Sequence, residues 1–387
     1  MTDYNKNKEQ DLDKEFEDIR PYRDHEIRQV LDRIRKHPWI ISALRRFVWP
    51  RCPNFIVTPF EALIRFYLRL KLYQIHNVDD FHRNFMKKTV LEWIAERTMK
   101  ELTASRLEDI DPKDRYIFIT NHRDIVLDSA FLCYFLMEKG MKTPEIAFGD
   151  NLLINEFVSD LIRINKSFLV KRNLPVREQM HESLRLSRYI WYRLNMGSSI
   201  WIAQKGGRAK EGDDRTNPSL IKMLYLAQRK SGMSFSDSIN ALKIIPVAIS
   251  YEYDPCDQMK AKEVYKSRTQ IKYEKRHRED LISILKGINE YKGRVHYSFG
   301  YPPLHGNWED AKHVASEIDR FIHANYRLWP TNYMAYDMFF STNKYKEHYT
   351  EEEVKVFLKR FEKLHEEIKK VAIEIYAKPV INREATG

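Results

Sequence analysis

Apolar positions up to about residue 100 recur at three- and four-residue intervals, and the pattern breaks at prolines, which predicts a mainly helical region over 1–100. Two segments stand out in it. HPWIISALRRFVWP (37–50) runs to Pro50 and mixes Trp39, Ile40, Ile41, Leu44, Phe47, Val48 and Trp49 with Arg45 and Arg46. FIVTPFEALIRFYLRLKLYQI (55–75) joins aromatic and aliphatic bulk to Arg65, Arg69 and Lys71. Amphipathic, aromatic and basic character together suit a helix lying in a membrane surface, and equally a pair of helices covering an ordinary core. From 101 to 305 short apolar runs alternate with longer helical stretches. YIFIT (116–120), EIAFG (145–149), SFLV (167–170), SSIWIA (198–203), KIIPVAISY (243–251) and RVHYSF (294–299) read as strands, with helices near 175–195 and 218–230. Such alternation implies an α/β domain with a largely parallel central sheet flanked by helices, whose chemistry gathers beyond the carboxyl ends of the strands. Residues 306–387 turn helical again and close with a charged helix near 350–375, while 259–280 reads as a charged, mostly basic, solvated insertion. The proline in KIIPVAISY, Pro246, suggests an edge strand or a bulge.

Composition narrows the class of partner. A net charge of +11 and pI near 9.2, with 22 Tyr, 20 Phe and 7 Trp, favour an anionic partner: nucleic acid, an anionic membrane leaflet or a phosphorylated substrate. No recognised binding module accompanies the charge, so nucleic acid is not expected. The cysteines Cys52, Cys133 and Cys256 are widely separated, without CxxC spacing or nearby histidines; this argues against a disulfide framework or metal centre and for a reducing compartment. The polar start MTDYNKNKEQDLDKEFEDIR has no apolar core of a secretory signal, and charges interrupt every stretch that approaches the roughly 20 apolar residues of a spanning helix. A cytoplasmic protein, peripheral on the inner face of the cytoplasmic membrane, is expected.

The chemistry begins at YIFITNHRDIVLDSAFLCYFL. An apolar strand runs into Asn121, His122, Arg123 and Asp124 and is followed by an apolar helix, so His122 sits at a strand's carboxyl end, where an imidazole can meet a substrate. A neutral imidazole takes a proton from an alcohol when a carboxylate holds its other nitrogen, fixing the tautomer and stabilising the imidazolium that forms. Asp128 and Asp124 are both placed to supply that carboxylate. Both also lie where an acidic side chain caps a helix start.

With these residues the chain resembles the glycerolipid acyltransferases, the family of glycerol-3-phosphate and 1-acylglycerol-3-phosphate acyltransferases. Four ordered segments carry the resemblance. NHRDIVLDS matches the family's His–Asp segment with one more residue between His122 and Asp128 than is usual, and the match through Asp128-Ser129 favours Asp128 over Asp124. NKSFLVKR (165–172) resembles the second segment but lacks its glycine, and IWIAQKGGRAKEG (200–212) resembles the third, with Lys205 where the family has glutamate. IIPVAISYEY (244–253) resembles the fourth, with Pro246 and Tyr251 its clearest points. FEDIRPYRDHEI and NYMAYDMF are similar to a bacterial branch of the family.

What the resemblance implies is transfer of an acyl group from acyl-CoA or acyl-carrier protein, as co-substrate, to a hydroxyl of a lysophospholipid or glycerol phosphate, with no cofactor and no metal. His122 would be the base and Asp128 its orienting carboxylate. Lys171, Arg172 and Arg208 would bind the acceptor's phosphate, and the backbone around Gly206 and Gly207, or the Arg123 side chain, would stabilise the oxyanion. Three parts are expected: a helical region 1–100 with possible membrane contact, an α/β domain over 101–305, and a helical region 306–387. Lys205 and the altered His–Asp spacing keep two alternatives open, a lyso-aminolipid acceptor and a non-catalytic protein binding lipid or acyl carrier.

Overall fold

A computed structural model of the chain describes residues 14–49, 52–153, 155–172, 174–269 and 279–386, and every apolar run expected to be a strand is one. The strands are β1 Met99–Ser105, β2 Ile117–Thr120, β3 Glu145–Gly149, β4 Ser167–Val170, β5 Ile200–Ala203, β6 Ile244–Tyr251 and β7 Gly293–Phe299. The α-helices of eight residues or more are α1 Ile27–Lys36, α2 Pro38–Val48, α3 Val57–Tyr73, α4 Leu127–Glu138, α5 Glu156–Ile164, α6 Val176–Asn195, α7 Pro218–Tyr225, α8 Asp257–Thr269, α9 Glu279–Asn289, α10 Ala311–Asn325, α11 Pro330–Phe340, α12 Glu351–Arg360 and α13 Glu366–Thr386. Pro50, and residues 270–278 of the expected insertion, lie outside the described residues. Contacts divide the chain into two units, residues up to 92 with 142–182, and residues 93–141 with 183–387.

In the first unit α1 buries Ile27, Val30, Leu31 and Ile34, the spacing of one helical face, against Ile64, Leu68 and Leu72 of α3 and Phe157 and Ile164 of α5. The turn between α1 and α2 follows from Pro38. It holds His37 extended, and the imidazole of His37 accepts the Trp39 N–H at 3.3 Å. Asp160 is buried beneath Arg33, which donates to it at 2.7 and 2.8 Å, and the Tyr22 hydroxyl at 2.5 Å. β3 and β4 pair in parallel over Ile146–Gly149 and Ser167–Val170.

The second unit holds five strands in the order β1-β7-β6-β2-β5, parallel throughout except between β6 and β7. All eight residues of β6 and all four of β2 are buried, as expected of central strands covered on both faces. β1 is the strand the sequence hides. MKELTAS is polar and half-exposed along an edge, so it offers no apolar run to read. Pro246 also corrects an expectation, because its strand is central rather than at an edge. Its carbonyl accepts the Gly300 N–H on the β7 side, and the β6–β7 ladder starts only at Val247, so the missing proline N–H falls beyond that ladder.

The segment expected to be a solvated insertion from 259 is a second correction. α8 buries Asp257, Lys260, Ala261, Glu263 and Val264, and Ala261 and Val264 join Met334, Phe357, Phe361, Ile375 and Tyr376 in a core shared with α11, α12 and α13. The charged helix expected over 350–375 is two helices, α12 and α13. Phe357 is central to this core, with ring contacts to Phe361 and Tyr376 at 5.2 and 5.0 Å. Phe357→Ala is expected to lower stability by about 3–5 kcal/mol, read as a lower midpoint in urea unfolding.

Candidate functional site

β2 delivers the site. Beyond Thr120 the chain leaves the sheet, and Asn121 ties the exit to β6, its amide donating to the Ile249 carbonyl at 2.9 Å and accepting the Ile249 N–H at 2.7 Å. This side-chain clamp stands in for a ladder pair and fixes where the next residue points. That residue is His122, whose Nδ1 lies 2.9 Å from Asp128 Oδ2, with side-chain exposures of 13% and 0%. The imidazole therefore reaches the surface while its carboxylate does not. The Trp201 ring, from β5, meets the imidazole in a T-shaped contact at 5.9 Å between centroids.

Asp128 lies in the first turn of α4 and collects donors on both oxygens. Oδ2 also accepts the N–H groups of Arg123 at 2.6 Å and Asp124 at 2.9 Å, and Oδ1 accepts the Tyr251 hydroxyl at 2.9 Å. Asp124 has a different task. Its Oδ1 accepts the N–H groups of Val126 and Leu127 at 2.9 and 2.8 Å, capping the turn that leads into α4. Burial, with the charge of Asp128 next, pushes the Asp124 carboxyl above the usual range. The alternative left open in the sequence thus has a geometric answer: Asp128 contacts His122, and Asp124 holds the loop.

The glycine-rich turn after β5 lies beside His122, whose carbonyl accepts the Ala209 N–H at 2.7 Å. Gly206 is exposed, and Gly207 has φ +84°, where a side chain would be strained. Arg208 donates from Nη2 to Ser283 Oγ of α9 at 3.3 Å, and its buried Nη1 has no hydrogen-bond partner. A guanidinium nitrogen left over in this way suits an anion. α9 comes close to the His122 loop because of Gly287, where an added Cβ would stand 2.1 Å from Asp124 Oδ2.

Arg123 corrects the expectation of a substrate contact. Its guanidinium is buried, donating to Asp254 at 2.9 Å, to the Gly212 carbonyl at 3.1 Å and to Asp214 at 2.5 Å, and it lies over the Tyr326 ring at 5.3 Å. Burial opposes its charge, yet Asp214 and Asp254 hold the group well above the ordinary guanidinium range. It is a brace for the loop. Lys171 and Arg172 belong to the first unit, where Lys171 pairs with Asp18 at 3.1 Å and Glu182 at 3.6 Å, and the Arg172 side chain lies against Gly149. Lys205 donates to the Asp213 carbonyl at 2.9 Å. Sequence reasoning gave no role to Asn121, Asp214, Asp254, Ser283 or Gly287; the parity of β6, which carries Tyr251 on the face of His122, is the one signal that could have pointed to the phenol.

Among the described residues no group of three or more His, Cys, Asp or Glu side chains could hold a metal ion, and no helix is long and apolar enough to cross a membrane. A family model described as acyltransferase matches residues 101–250. Glycerol-3-phosphate acyltransferases are similar: that of Alteromonas mediterranea is 26% identical over 211 residues, covering 52% of this chain and 24% of that protein. That of Pseudomonas aeruginosa PAO1 is 23% identical over 264 residues, covering 65% of this chain and 29% of that protein. The chain thus spans between about a quarter and a third of the length of these relatives. Among solved structures, the 1-acyl-sn-glycerophosphate acyltransferase PlsC of Thermotoga maritima aligns with a TM-score of 0.36 and 12% identity, covering 76% of this chain and 92% of that one.

The contact between α9 and the loop is testable through stability. Gly287→Ala is expected to cost about 1–3 kcal/mol, because Asp124 must give way. Gly206→Ala, with nothing within 4 Å of the added carbon, should stay within about 0.5 kcal/mol of the parent in the same thermal unfolding experiment.

Proposed function

We propose that this chain, which matches an acyltransferase family model over residues 101–250, moves a fatty acyl group from acyl-CoA or acyl-carrier protein to a hydroxyl of a lysophospholipid or glycerol phosphate. The observation that carries the reading is the His122–Asp128 pair at the end of β2. Asp128 accepts the proton side of Nδ1, which leaves the Nε2 lone pair as the base. The acceptor O–H gives its proton to Nε2 as the oxygen attacks the thioester carbonyl. The tetrahedral intermediate then collapses, the C–S bond breaks, and the departing thiolate takes the proton back from the imidazolium. No enzyme nucleophile is required. Arg208, with one unpartnered guanidinium nitrogen, supports an acceptor bearing phosphate, and the exposed backbone at Gly206 supports oxyanion stabilisation nearby. Lys205, where the resemblance to glycerolipid acyltransferases implies a glutamate, favours a second reading in which the acceptor head group differs, a lyso-aminolipid among the candidates.

Attachment to an anionic membrane surface, on the inner face of the cytoplasmic membrane, belongs to the same proposal. α3 buries Ile64, Leu68 and Leu72 yet leaves Leu63, Phe66, Tyr67, Leu70 and Tyr73 exposed beside Arg65, Arg69 and Lys71. Apolar side chains ringed by cations suit insertion among anionic head groups.

His122→Ala is expected to lose transfer by at least about 100-fold while keeping its circular dichroism and melting temperature, assayed as thioester consumption with a panel of lysolipids, glycerol 3-phosphate and lyso-aminolipids. Retained turnover would remove His122 from the mechanism, and the product formed identifies the acceptor. In sedimentation with anionic vesicles the parent should pellet and a Leu63→Ser, Phe66→Ser, Leu70→Ser variant should stay in solution; equal pelleting would count against α3 as the contact.

A further inference from the structure

The reaction needs more of Asp128 than contact with the imidazole. A carboxylate can turn about its Cβ–Cγ bond and offer either oxygen, and its strength as a partner falls as other donors share its charge. Both properties are set by what Oδ1 meets, and in this fold Oδ1 meets Tyr251 at 2.9 Å.

The phenol arrives by the geometry of the sheet. In the β2–β6 ladder Phe118 faces Ile245 and Thr120 faces Val247, so alternation puts Ile249 and Tyr251 on the same side as Thr120 and, past the strand end, His122. Tyr297 lies on that side too, opposite Ile249 across the β6–β7 ladder, but it does a different job: its hydroxyl donates to the backbone carbonyls of Leu127 and Asp128 at 3.2 and 3.1 Å, anchoring the first turn of α4. Two buried tyrosines thus stand side by side, one on the carboxylate and one on the backbone beneath it.

We propose that Tyr251 is a positioning residue for the transfer reaction: its hydroxyl holds Oδ1 of Asp128 so that Oδ2 alone faces His122, and by sharing the carboxylate's charge it limits how strongly Asp128 stabilises the charged imidazole. The proposal rests on the His122–Asp128 reading above. The charged and titratable groups around the pair are Asp124 from the loop, Tyr297 from β7 and Cys133 from α4, with Arg208, Cys256 and Lys292 acting on Asp124. Burial, with the Asp128 charge next, holds the Tyr251 phenol well above its ordinary range, so it remains a donor at any working pH.

The sign of the effect follows. Without the phenol, Asp128 keeps more of its charge for the imidazolium, so His122 holds its proton to higher pH and the acid limb of kcat/KM moves up. A stronger donor does the reverse. The test compares the parent with Tyr251→Phe, Tyr297→Phe and a protein carrying 3,5-difluorotyrosine at position 251. Tyr251→Phe is expected to lower kcat by about ten- to a hundredfold, with KM for the thioester little changed. Its acid limb should move to higher pH, and so should the NMR titration of the histidine signal that His122→Ala removes. Difluorotyrosine, whose phenol donates more strongly, should move both to lower pH. Tyr297→Phe, whose hydroxyl meets Tyr251 and the backbone rather than Asp128 Oδ1, should lose thermal stability and move both less than Tyr251→Phe does. Titration midpoints that coincide in parent, Tyr251→Phe and difluorotyrosine proteins would overturn the proposal, as would an equal shift in Tyr297→Phe. If Tyr251→Phe does not fold, the difluorotyrosine protein keeps the packing and decides. A parent inactive with every donor and acceptor would refute the functional reading, while the NMR titration would still decide whether Tyr251 governs the Asp128–His122 contact.

Discussion

A carboxylate shut away from water must find donors for both of its oxygens, or it will not stay charged and fixed. Asp128 meets that demand with four: the imidazole, two consecutive backbone N–H groups and a phenol. Much of the local structure is what is needed to bring them. The two N–H groups belong to Arg123 and Asp124, so the loop between β2 and α4 has to curl around Oδ2, and the residues between His122 and Asp128 are wound into that curl. A turn that Asp124 caps takes up the five residues between His122 and Asp128, and the two side chains meet.

The curl has its own support, since a loop bent by two N–H groups needs something to stop it swinging away. Arg123, between His122 and the capping aspartate, drives its side chain inward and is fixed there by Asp214 and Asp254. Asp254 in turn takes Lys260 of α8, and its N–H donates to the Tyr376 hydroxyl at 2.8 Å, which donates to Asp257 at 2.7 Å. Arg360 of α12 completes the chain on Asp257. The helices of the C-terminal region are therefore connected to the residue beside His122 through paired charges and the Tyr376 hydroxyl. That is a reason for this region to be part of the same unit as the His122 loop.

How far these features could be read in advance depended on the range over which their causes act. β2, β5 and β6 are apolar runs buried on both faces, and the run itself is the signal. β1 depends on its neighbour for being a strand at all, and its residues carry no such signal. Most of α8 reads as a solvated segment because Lys260 and Glu263 look like surface charges until Asp254 and Lys210 are brought to them. The site shows the same division. His122 and Asp128 are close in sequence and legible together, whereas Arg123 reads as a substrate contact because its real partners, Asp214 and Asp254, lie 91 and 131 residues away. An arginine beside a base reads as a ligand contact when its counter-charges are out of view.

The buried cluster under the loop is better understood as a device for shape than for stability. Arg123 and Lys260 are matched by Asp214 and Asp254, two cations against two anions, so the group carries no net charge. Taking such ions out of water costs about as much as their mutual attraction returns, and well-packed apolar side chains would often serve stability as well. Apolar side chains, however, accept many arrangements of similar energy. A fork of donors meeting carboxylates on separate segments accepts few, because a shifted loop would leave a buried charge unpaired. The direction of the loop is thus set by ionic pairing on one side of His122, and the orientation of its carboxylate by a phenol from β6 on the other. With both fixed by the fold, the proposed role of His122 as a base would leave the imidazole little to reorganise on taking up a proton, which is the condition under which such a base works well.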